Sequence, residues 1–184
     1  LAGFLLDSGR ANEAWDLLVT LESRKGPTQH TARMLATIAN YLPSLTAQQV
    51  SGRHRRFGEL LEAAIAPMPV AGPAVAPSTI APGKRPLRVG IMSPDFRQHS
   101  VSFFTEPVLR HRDKTAIHLI AYSSTQEKDA TTARLKPLFD QWHDVGTLGD
   151  AMLARQIRDD KIDVLVDLAG LTHGGRPSVL AVRP

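Results

Sequence analysis

The chain has 184 residues, of which 42% are hydrophobic and 22% are charged, a composition typical of globular proteins. It contains no cysteine, which excludes a disulfide framework and thiolate metal sites and favours a reducing, cytoplasmic location. The formal charge of +4 is spread along the chain apart from RHRR at 53–56, so no nucleic-acid partner is predicted. No apolar run approaches the roughly 20 residues needed to cross a bilayer, so no membrane association is predicted.

The first part of the chain, residues 1–66, is predicted to be helical. The segment GRANEAWDLLVTLE (9–22) carries Ala14, Leu18 and other apolar residues at intervals of three and four, which indicates an amphipathic helix. A preceding DSG turn gives the helix–turn–helix pattern of a tetratricopeptide repeat, although any helical hairpin gives a similar pattern. A further helix is expected in TARMLATIANYL (31–42).

A capping box is predicted at TAQQ, with Thr46 as the N-cap and Gln49 three residues later. The helix that follows places His54 on the same stripe as Phe57 and Leu61. We therefore expect His54 to pack on the apolar face. A hydrogen-bonded packing role is favoured over a ligand role for this histidine.

Residues 67–86, PMPVAGPAVAPSTIAPGKRP, are rich in proline and have neither a helical nor a strand period. They predict an extended linker. Beyond the linker, three apolar runs predict buried strands: LRVGIMS (87–93), AIHLIAYS (116–123) and IDVLVDLAG (162–170).

Helices are predicted between these strands. SVSFFTEPVLRH has Val101, Phe104 and Val108 at helical spacing, and helices are also expected in 129–142 and 150–161. Strands alternating with helices predict right-handed βαβ units and a doubly wound parallel sheet in residues 87–184.

Three polar segments follow the predicted strands, at 93–100, 123–129 and 167–177. Because ligands bind beyond the carboxyl ends of the strands in such sheets, these segments predict a site. Their side chains include Asp95, His99, Asp167, Thr172, His173 and Arg176. The Gly-containing turn THGG before RPSVLAV predicts a helix N-terminus that could receive an anion or a sugar hydroxyl.

Several chemistries are disfavoured by motifs that the sequence lacks. There is no G-x-G-x-x-G after the first strand, no G-x-x-x-x-G-K-[ST], no G-x-S-x-G and no H-E-x-x-H, so neither a dinucleotide cofactor nor a dedicated metal site is expected. The residues alone leave other roles open. His99 could cap the following helix, and Asp95 and Asp167 could brace their loops.

Three ordered segments resemble the O-GlcNAc transferases and their bacterial homologues. LRVGIMSPDFRQHSVSFFTEPVL resembles the opening of their catalytic region, where a strand is followed by S-x-D-F-x-x-H. IDVLVDLAGLTHGGRPSVLAVRP is similar to a second catalytic segment. NYLPSLTAQQVSGRHRRFGELL is similar to the stretch that joins their repeats to the catalytic core. The matches cover roughly residues 38–66 and 87–184.

The resemblance implies a metal-independent glycosyltransferase that moves GlcNAc from UDP-GlcNAc to Ser or Thr hydroxyls of proteins, without a further cofactor. It implies a tetratricopeptide-like helical segment followed by a Rossmann-like α/β lobe of a two-lobe (GT-B type) enzyme, with the repeats binding acceptor proteins. Neither end of the sequence looks like a natural boundary. We therefore expect a segment of a longer polypeptide that lacks the second lobe and is inactive alone.

The family's residue roles are carried over onto matching positions. His99 matches a histidine at the junction of donor sugar and acceptor, for which a general-base role has been proposed, and is the expected catalytic residue. The resemblance implies substrate-binding or loop-shaping roles for a further set: Asp95, Phe96, Asp167, Gly170, Thr172, His173 and Arg176.

One position departs from the family pattern. Many bacterial members carry His where this chain has Leu171, and His173 follows two residues later. This departure gives some support to a second hypothesis, a non-catalytic interaction scaffold with a degenerate lobe. A third hypothesis is a transferase that uses another nucleotide sugar or a small-molecule acceptor.

Overall fold

The structure, a computed structural model, describes residues 1–65, 85–182 and 184. The chain divides into two compact units, Leu1–Ala66 and Pro67–Pro184. Most of the predicted linker, 67–84, lies outside the described residues. Within the described part of the chain, no helix is both long and apolar enough to cross a membrane.

The first unit is helical, as predicted, and is stabilised by an apolar core between its helices. The helices are α1 (Ala2–Asp7), α2 (Ala11–Lys25), α3 (Gln29–Ala39) and α4 (Ala47–Ala64). Buried side chains of α1, α2 and α3 form one cluster with Leu42, which follows α3: Leu5, Ala14, Leu18, Leu35, Ile38 and Leu42. The predicted capping box at the start of α4 is confirmed, since Thr46 Oγ1 accepts from the Gln49 N–H and Gln49 Oε1 accepts from the Thr46 N–H.

The expected packing of His54 on the apolar face was wrong, whereas the hydrogen bond expected for it is present. His54 is exposed, and its Nε2 lies 3.2 Å from Asn40 Nδ2. The partly buried stripe of α4 instead includes Arg53, whose guanidinium lies 4.9 Å above the Trp15 ring and pairs with Glu22 at 2.8 Å. An arginine can lie on such a stripe because its methylene stem and planar head pack against apolar and aromatic surface.

The second unit contains a four-stranded parallel sheet. Its strands are β1 (Leu87–Ser93), β2 (Ile117–Ser123), β3 (Gln141–Asp144) and β4 (Val164–Asp167), in the spatial order β3-β2-β1-β4. β1 pairs with β2 from Leu87↔Ile117 and with β4 from Val89↔Val164. On one side of β1 lie β2 and then β3, in chain order, whereas β4 lies on its other side. The strand order therefore reverses between β1 and β4, which is the topological switch point.

Helices cover both faces of this sheet, as the alternating pattern predicts. They are α5 (Ser100–His111), α6 (Ala130–Leu135), α7 (Asp150–Asp159) and α8 (Pro177–Ala181). Successive β1 residues point to opposite faces: Ile91 packs in a core cluster with Leu109 of α5, whereas Met92 packs in another with Leu153 of α7. The second unit is therefore a doubly wound α/β lobe.

The helix predicted over 129–142 was too long. Helix α6 ends at Leu135, a 3₁₀ turn follows at Lys136–Leu138, and Gln141–Asp144 forms β3. Pro137 cannot donate the hydrogen bond that a continuing helix needs. β3 was missed because it is a short edge strand whose residues are only partly buried or exposed, so it has no apolar run.

The predicted apolar face of α5 was also wrong. Its buried residues are Ser102, Thr105 and Leu109, whereas Phe103 and Phe104 are 73% and 79% exposed. The two hydroxyls can be buried because each donates to a backbone carbonyl: Ser102 Oγ to the Asp95 and Arg97 oxygens, and Thr105 Oγ1 to the Val101 oxygen. Ser102 thereby donates to backbone carbonyls of the loop that precedes the helix.

Candidate functional site

A cavity of about 770 Å³ lies outside the carboxyl ends of the sheet strands. The loops that follow all four strands contribute to its lining. These residues are Pro94, Asp95 and Arg97 after β1, Ser124, Gln126 and Glu127 after β2, Gly146, Leu148, Gly149 and Asp150 after β3, and His173, Gly174 and Arg176 after β4. This is the position at which open α/β sheets bind ligands.

The loop after β1 is fixed by hydrogen bonds to the loop after β2 and to α6 with its N-cap residue. The Phe96 N–H donates to Thr125 Oγ1 at 3.1 Å, and Thr132 Oγ1 donates to the Phe96 carbonyl at 2.7 Å. The Gln98 N–H donates to Asp129 Oδ2 at 2.7 Å. The N–H groups of Gln98 and then Thr132 lower the pKa of Asp129. The loop is therefore held by the loop after β2 and by α6 before any ligand binds.

Phe96 has no exposed surface and lies in the core. Its ring centroid is 5.3 Å from those of both Phe139 and Trp142. Such aromatic contacts anchor the loop to the face of the sheet that α5 and α6 cover. The structure therefore gives Phe96 a loop-shaping position, whereas Asp95, one residue earlier, faces the cavity.

Asp95 presents a largely buried carboxylate with two side-chain nitrogens in its neighbourhood. Its side chain is 13% exposed, and its oxygens lie 3.9 Å from Arg97 Nε and 3.8 Å from His99 Nδ1. Neither distance is a hydrogen bond. Because a buried carboxylate is stabilised by donors, Asp95 is suited to accept from a ligand hydroxyl or amide in the cavity.

His99 is not among the residues that line the cavity. It is the N-cap of α5, and its Nδ1 accepts a hydrogen bond from the Val101 N–H at 3.3 Å. The capping role that the sequence left open is therefore present in the structure. A role toward substrate is compatible with it, because Nε2 has no partner within the described part of the chain and the side chain is 40% exposed.

Three of the predicted residues shape the loop after β4. The Asp167 carboxylate accepts from the N–H groups of Ala169 and Gly170, each at 3.0 Å. Gly170 has a φ of +54°, a conformation that favours glycine. Thr172 Oγ1 donates to the Ala169 carbonyl at 2.7 Å. These contacts form a compact turn, and they position the cavity-lining residues that follow it.

His173 and Gly174 carry this turn to the cavity wall. His173 is exposed and lines the cavity, and Gly174 has a φ of +77° with its backbone against Pro94. The loops after β1 and β4 therefore touch across the switch point. Helix α8, which follows at Pro177, has only five residues. A helix this short gives little support to the anion site that the sequence predicted at its N-terminus.

The guanidinium of Arg176 makes its hydrogen bonds within the protein. It donates to Asp150 Oδ1 at 2.7 Å through Nε and contacts the same oxygen at 2.6 Å through a terminal nitrogen. It also donates to the carbonyls of Val145 and Leu148. Arg176 therefore joins the loops after β3 and β4, and its side chain is 14% exposed.

The sequence did not single out several cavity residues. Arg97 is the most notable, because its contacts with Asp95 at 3.9 Å and Glu127 at 3.5 Å are long and its side chain is 40% exposed. Asp150 was missed because β3, whose loop precedes it, was not recognised as a strand. Within the described ranges, no group of three His, Cys, Asp or Glu side chains could hold a metal ion.

The fold defines a doubly wound α/β lobe, and a polar cavity lies outside the carboxyl ends of its strands. A model of glycosyl transferase family 41 matches residues 48–184, so the chain belongs to that family. This confirms the resemblance to the O-GlcNAc transferases. The matched region begins at the second residue of α4 and includes the described α/β lobe.

Individual relatives agree with this assignment. The probable UDP-N-acetylglucosamine–peptide N-acetylglucosaminyltransferase SPINDLY of Arabidopsis thaliana is 37% identical over 105 residues, 55% of this chain and 12% of the relative. Its counterpart SEC from the same plant is 24% identical over 148 residues, 80% of this chain and 15% of the relative. The chain thus spans only a small part of these relatives.

A solved structure matches along the whole chain. It is a mutant of the Thermobaculum terrenum O-GlcNAc transferase, with 29% sequence identity and a TM-score of 0.83. The match covers 100% of this chain and 34% of that protein. The α/β lobe and the preceding helices therefore have counterparts in one solved transferase.

Proposed function

We propose that this chain is part of a glycosyltransferase that moves N-acetylglucosamine from UDP-GlcNAc to Ser or Thr hydroxyls of proteins. The observation that carries the proposal is a polar cavity lined by the loops after all four strands, in a chain that belongs to glycosyl transferase family 41. The names of the relatives specify UDP-N-acetylglucosamine as donor and a peptide as acceptor.

In this reaction the acceptor oxygen forms a bond to C1 of the sugar while the bond from C1 to the diphosphate breaks. The bonding electrons leave with UDP, and the acceptor hydroxyl gives its proton to a general base, for which His99 is the candidate. The proposal takes the enzyme to be metal-independent and to need no cofactor beyond the donor, so leaving-group charge would be stabilised by basic side chains and backbone N–H groups. Arg97 is the candidate cation in this lobe, and Asp95 is a candidate acceptor for a sugar hydroxyl.

The described lobe would be one of the two lobes of a GT-B enzyme, and the second lobe would supply most of the UDP contacts, so the 184 residues should not catalyse transfer alone. The helices of the first unit would be the end of a tetratricopeptide-like array that binds acceptor proteins. A cytoplasmic location is proposed from the cysteine-free composition.

The test is GlcNAc transfer and donor hydrolysis from labelled UDP-GlcNAc by the full-length natural protein. Wild type would be compared with His99→Ala and with His111→Ala, a matched histidine control exposed at the last turn of α5. Transfer by wild type and the His111 variant, with a large loss in the His99 variant, supports the proposal.

Other outcomes favour the alternatives. Turnover with a different sugar in a panel of UDP- and GDP-sugars would assign another donor. Binding of UDP without turnover of any donor would favour the scaffold, for which Leu171 in place of a histidine is the supporting observation. Equal activity of the His99 variant and wild type would remove His99 from the catalytic residues.

A further inference from the structure

A groove of about 340 Å³ lies on the helical first unit. It is lined by residues of α2, of the segment before α4 and of α4 itself: Trp15, Leu45, Gln49, Gly52, Arg53 and Arg56. Ligand pockets usually measure about 300–1,000 Å³, so this groove is at the small end of that range. It has room for one large side chain rather than for a nucleotide or a larger cofactor.

Two of the lining residues form a fixed aromatic and cationic pair. The guanidinium carbon of Arg53 lies 4.9 Å from the centre of the Trp15 ring, and Arg53 Nη1 donates to Glu22 Oε2 at 2.8 Å. Because both of these partners lie on α2, the arginine of α4 is held in place before anything binds. Tryptophan and arginine are the residue types that most often dominate the energy of protein–protein interfaces.

The groove is open because position 52 has no side chain. Gly52 lies inside α4, where glycine is about 1 kcal/mol less favourable than alanine. A Cβ at this position would meet nothing within 4 Å, so packing within the first unit does not require glycine. The missing side chain instead leaves the space between Trp15 and Arg56 free for a partner.

The helix beside the groove carries only positive formal charge over its first three turns. From Thr46 to Gly58 the sequence has three arginines and no acidic residue. Arg55 is exposed and has no partner among residues 1–65, 85–182 and 184. Arg56 pairs with Glu59 at 3.2 Å, but the side chains are 48% and 56% exposed, so this ion pair is weak and open to exchange.

We propose that this groove binds an acidic segment of a partner protein. One aromatic or aliphatic side chain of the segment lies against Trp15, and flanking carboxylates pair with Arg55 and Arg56. The inference goes beyond sugar transfer. It rests on the proposed function only in taking the first unit to bind proteins, and it adds the chemistry of the protein that is bound.

Single-stranded nucleic acid is the competing ligand, since arginines bind phosphates and tryptophan stacks on bases. Binding of a strand uses an extended positive groove with successive aromatic side chains along it. Among the described residues that line this groove, Trp15 is the only aromatic one. The structure therefore favours a short protein segment.

The first test is fluorescence anisotropy with the full-length natural protein and no sugar donor. The probe is a fluorescein-labelled peptide, Gly-Asp-Glu-Phe-Glu-Asp-Gly, and two control peptides carry lysine for its acidic residues or glycine for its phenylalanine. We expect the probe to bind roughly tenfold more tightly than either control, and to bind more weakly as salt is added. Absence of binding, or equal binding of the three peptides, would overturn the proposal. Tighter binding of a labelled 12-nucleotide oligouridylate than of the probe would overturn it in favour of nucleic acid.

The second test places opposite charges in the groove. Gly52→Glu and Gly52→Lys add side chains of similar length to open space, and the glutamate would also pair with Arg56 one turn later. We expect the glutamate variant to bind the probe roughly tenfold more weakly than the lysine variant, with the same helix content by circular dichroism. Arg24→Gln, which changes the net charge by one unit at an exposed arginine of α2 outside the groove, should bind as wild type does.

Equal binding by the two Gly52 variants would show that the peptide binds elsewhere and would overturn the proposal. Because these measurements contain no donor, they are independent of transfer activity. A wild-type protein that binds the probe but transfers no sugar would refute the proposed function and leave the groove assigned. Transfer without any binding of the probe would do the reverse.

Discussion

Gly174 packs against Pro94, so the loops after β4 and β1 are in direct contact across the switch point of the sheet. A Cβ at position 174 would lie 2.8 Å from the Pro94 Cβ, and the φ of Gly174 is +77°. Both the backbone conformation and the space therefore require glycine. The contact sets the separation of the two loops on which Asp95 and His173 lie.

Gly174→Ala is expected to destabilise the protein by about 2 kcal/mol, because alanine is strained at positive φ and its methyl would displace Pro94. We also expect transfer activity to fall more than stability predicts at assay temperature, because the displaced loops line the cavity. Thermal denaturation and kcat/KM would measure the two effects. Gly58→Ala is the matched control: Gly58 lies inside α4 with open space around it, so alanine there should not destabilise. A Gly174→Ala protein with wild-type stability would contradict the contact.

Arg176 is expected mainly to stabilise the contact between the loops after β3 and β4. Arg176→Ala would remove the arginine donors of the Leu148 carbonyl and the Asp150 carboxylate, and one of the two donors of the Val145 carbonyl, which keeps the Leu148 N–H, at a cost of about 2 kcal/mol. The measurement is the free energy of unfolding beside Arg155→Ala, which removes an exposed arginine of α7. Unchanged stability together with a raised KM for the donor would instead assign Arg176 to substrate binding, as the family resemblance implies.

Acid should loosen the loop that precedes α5. The Gln98 and Thr132 N–H groups hold the pKa of Asp129 below its usual value, so folding favours the carboxylate. The resulting stabilisation is present above the carboxyl pKa of the unfolded chain and is lost as pH falls through the lowered folded pKa. Melting temperatures of wild type and Asp129→Asn, measured from neutral pH to about pH 3, should converge in acid. Exposed Asp159, changed to Asn, is the control, and a constant difference across the range would contradict the assignment.

The two faces of α5 should differ sharply in their response to truncation. Leu109 is fully buried, so Leu109→Ala should cost about 3 kcal/mol, whereas Phe104→Ala removes an exposed ring and should change the stability of the isolated chain by less than about 0.5 kcal/mol. Chemical denaturation of the two variants measures this. A larger cost at Phe104 would restore the face that the sequence pattern predicted.

The sequence predicted the two central strands well because burial leaves an unambiguous pattern there. β1 and β2 are short apolar runs, and they were placed almost to the residue. β3 was missed because a strand at the edge of a sheet, paired on one side, needs no apolar run. The face of α5 was wrong because Ser102 and Thr105 are buried through hydrogen bonds, which hydrophobic spacing does not detect.

The site was predicted only in outline. The convergence of the strand-following loops follows from the topology of a parallel sheet, and Asp95, His173 and Arg176 do line the cavity. Their individual environments could not be predicted, because they depend on contacts distant in sequence, such as Asp150 with Arg176. The roles of the predicted residues toward substrate stay predictions.

The pairing of β1 with β4 also has a consequence for the order of folding. Val89 and its partner Val164 are 75 residues apart, whereas Leu87 and Ile117 are 30 apart. Closing the longer loop costs about 0.8 kcal/mol more in chain entropy by the logarithmic dependence on length. The β1–β2 unit should therefore form first, and the wall between Pro94 and Gly174 can be built only when β4 docks. A newly made chain would hold its first loop in place well before it has a cavity.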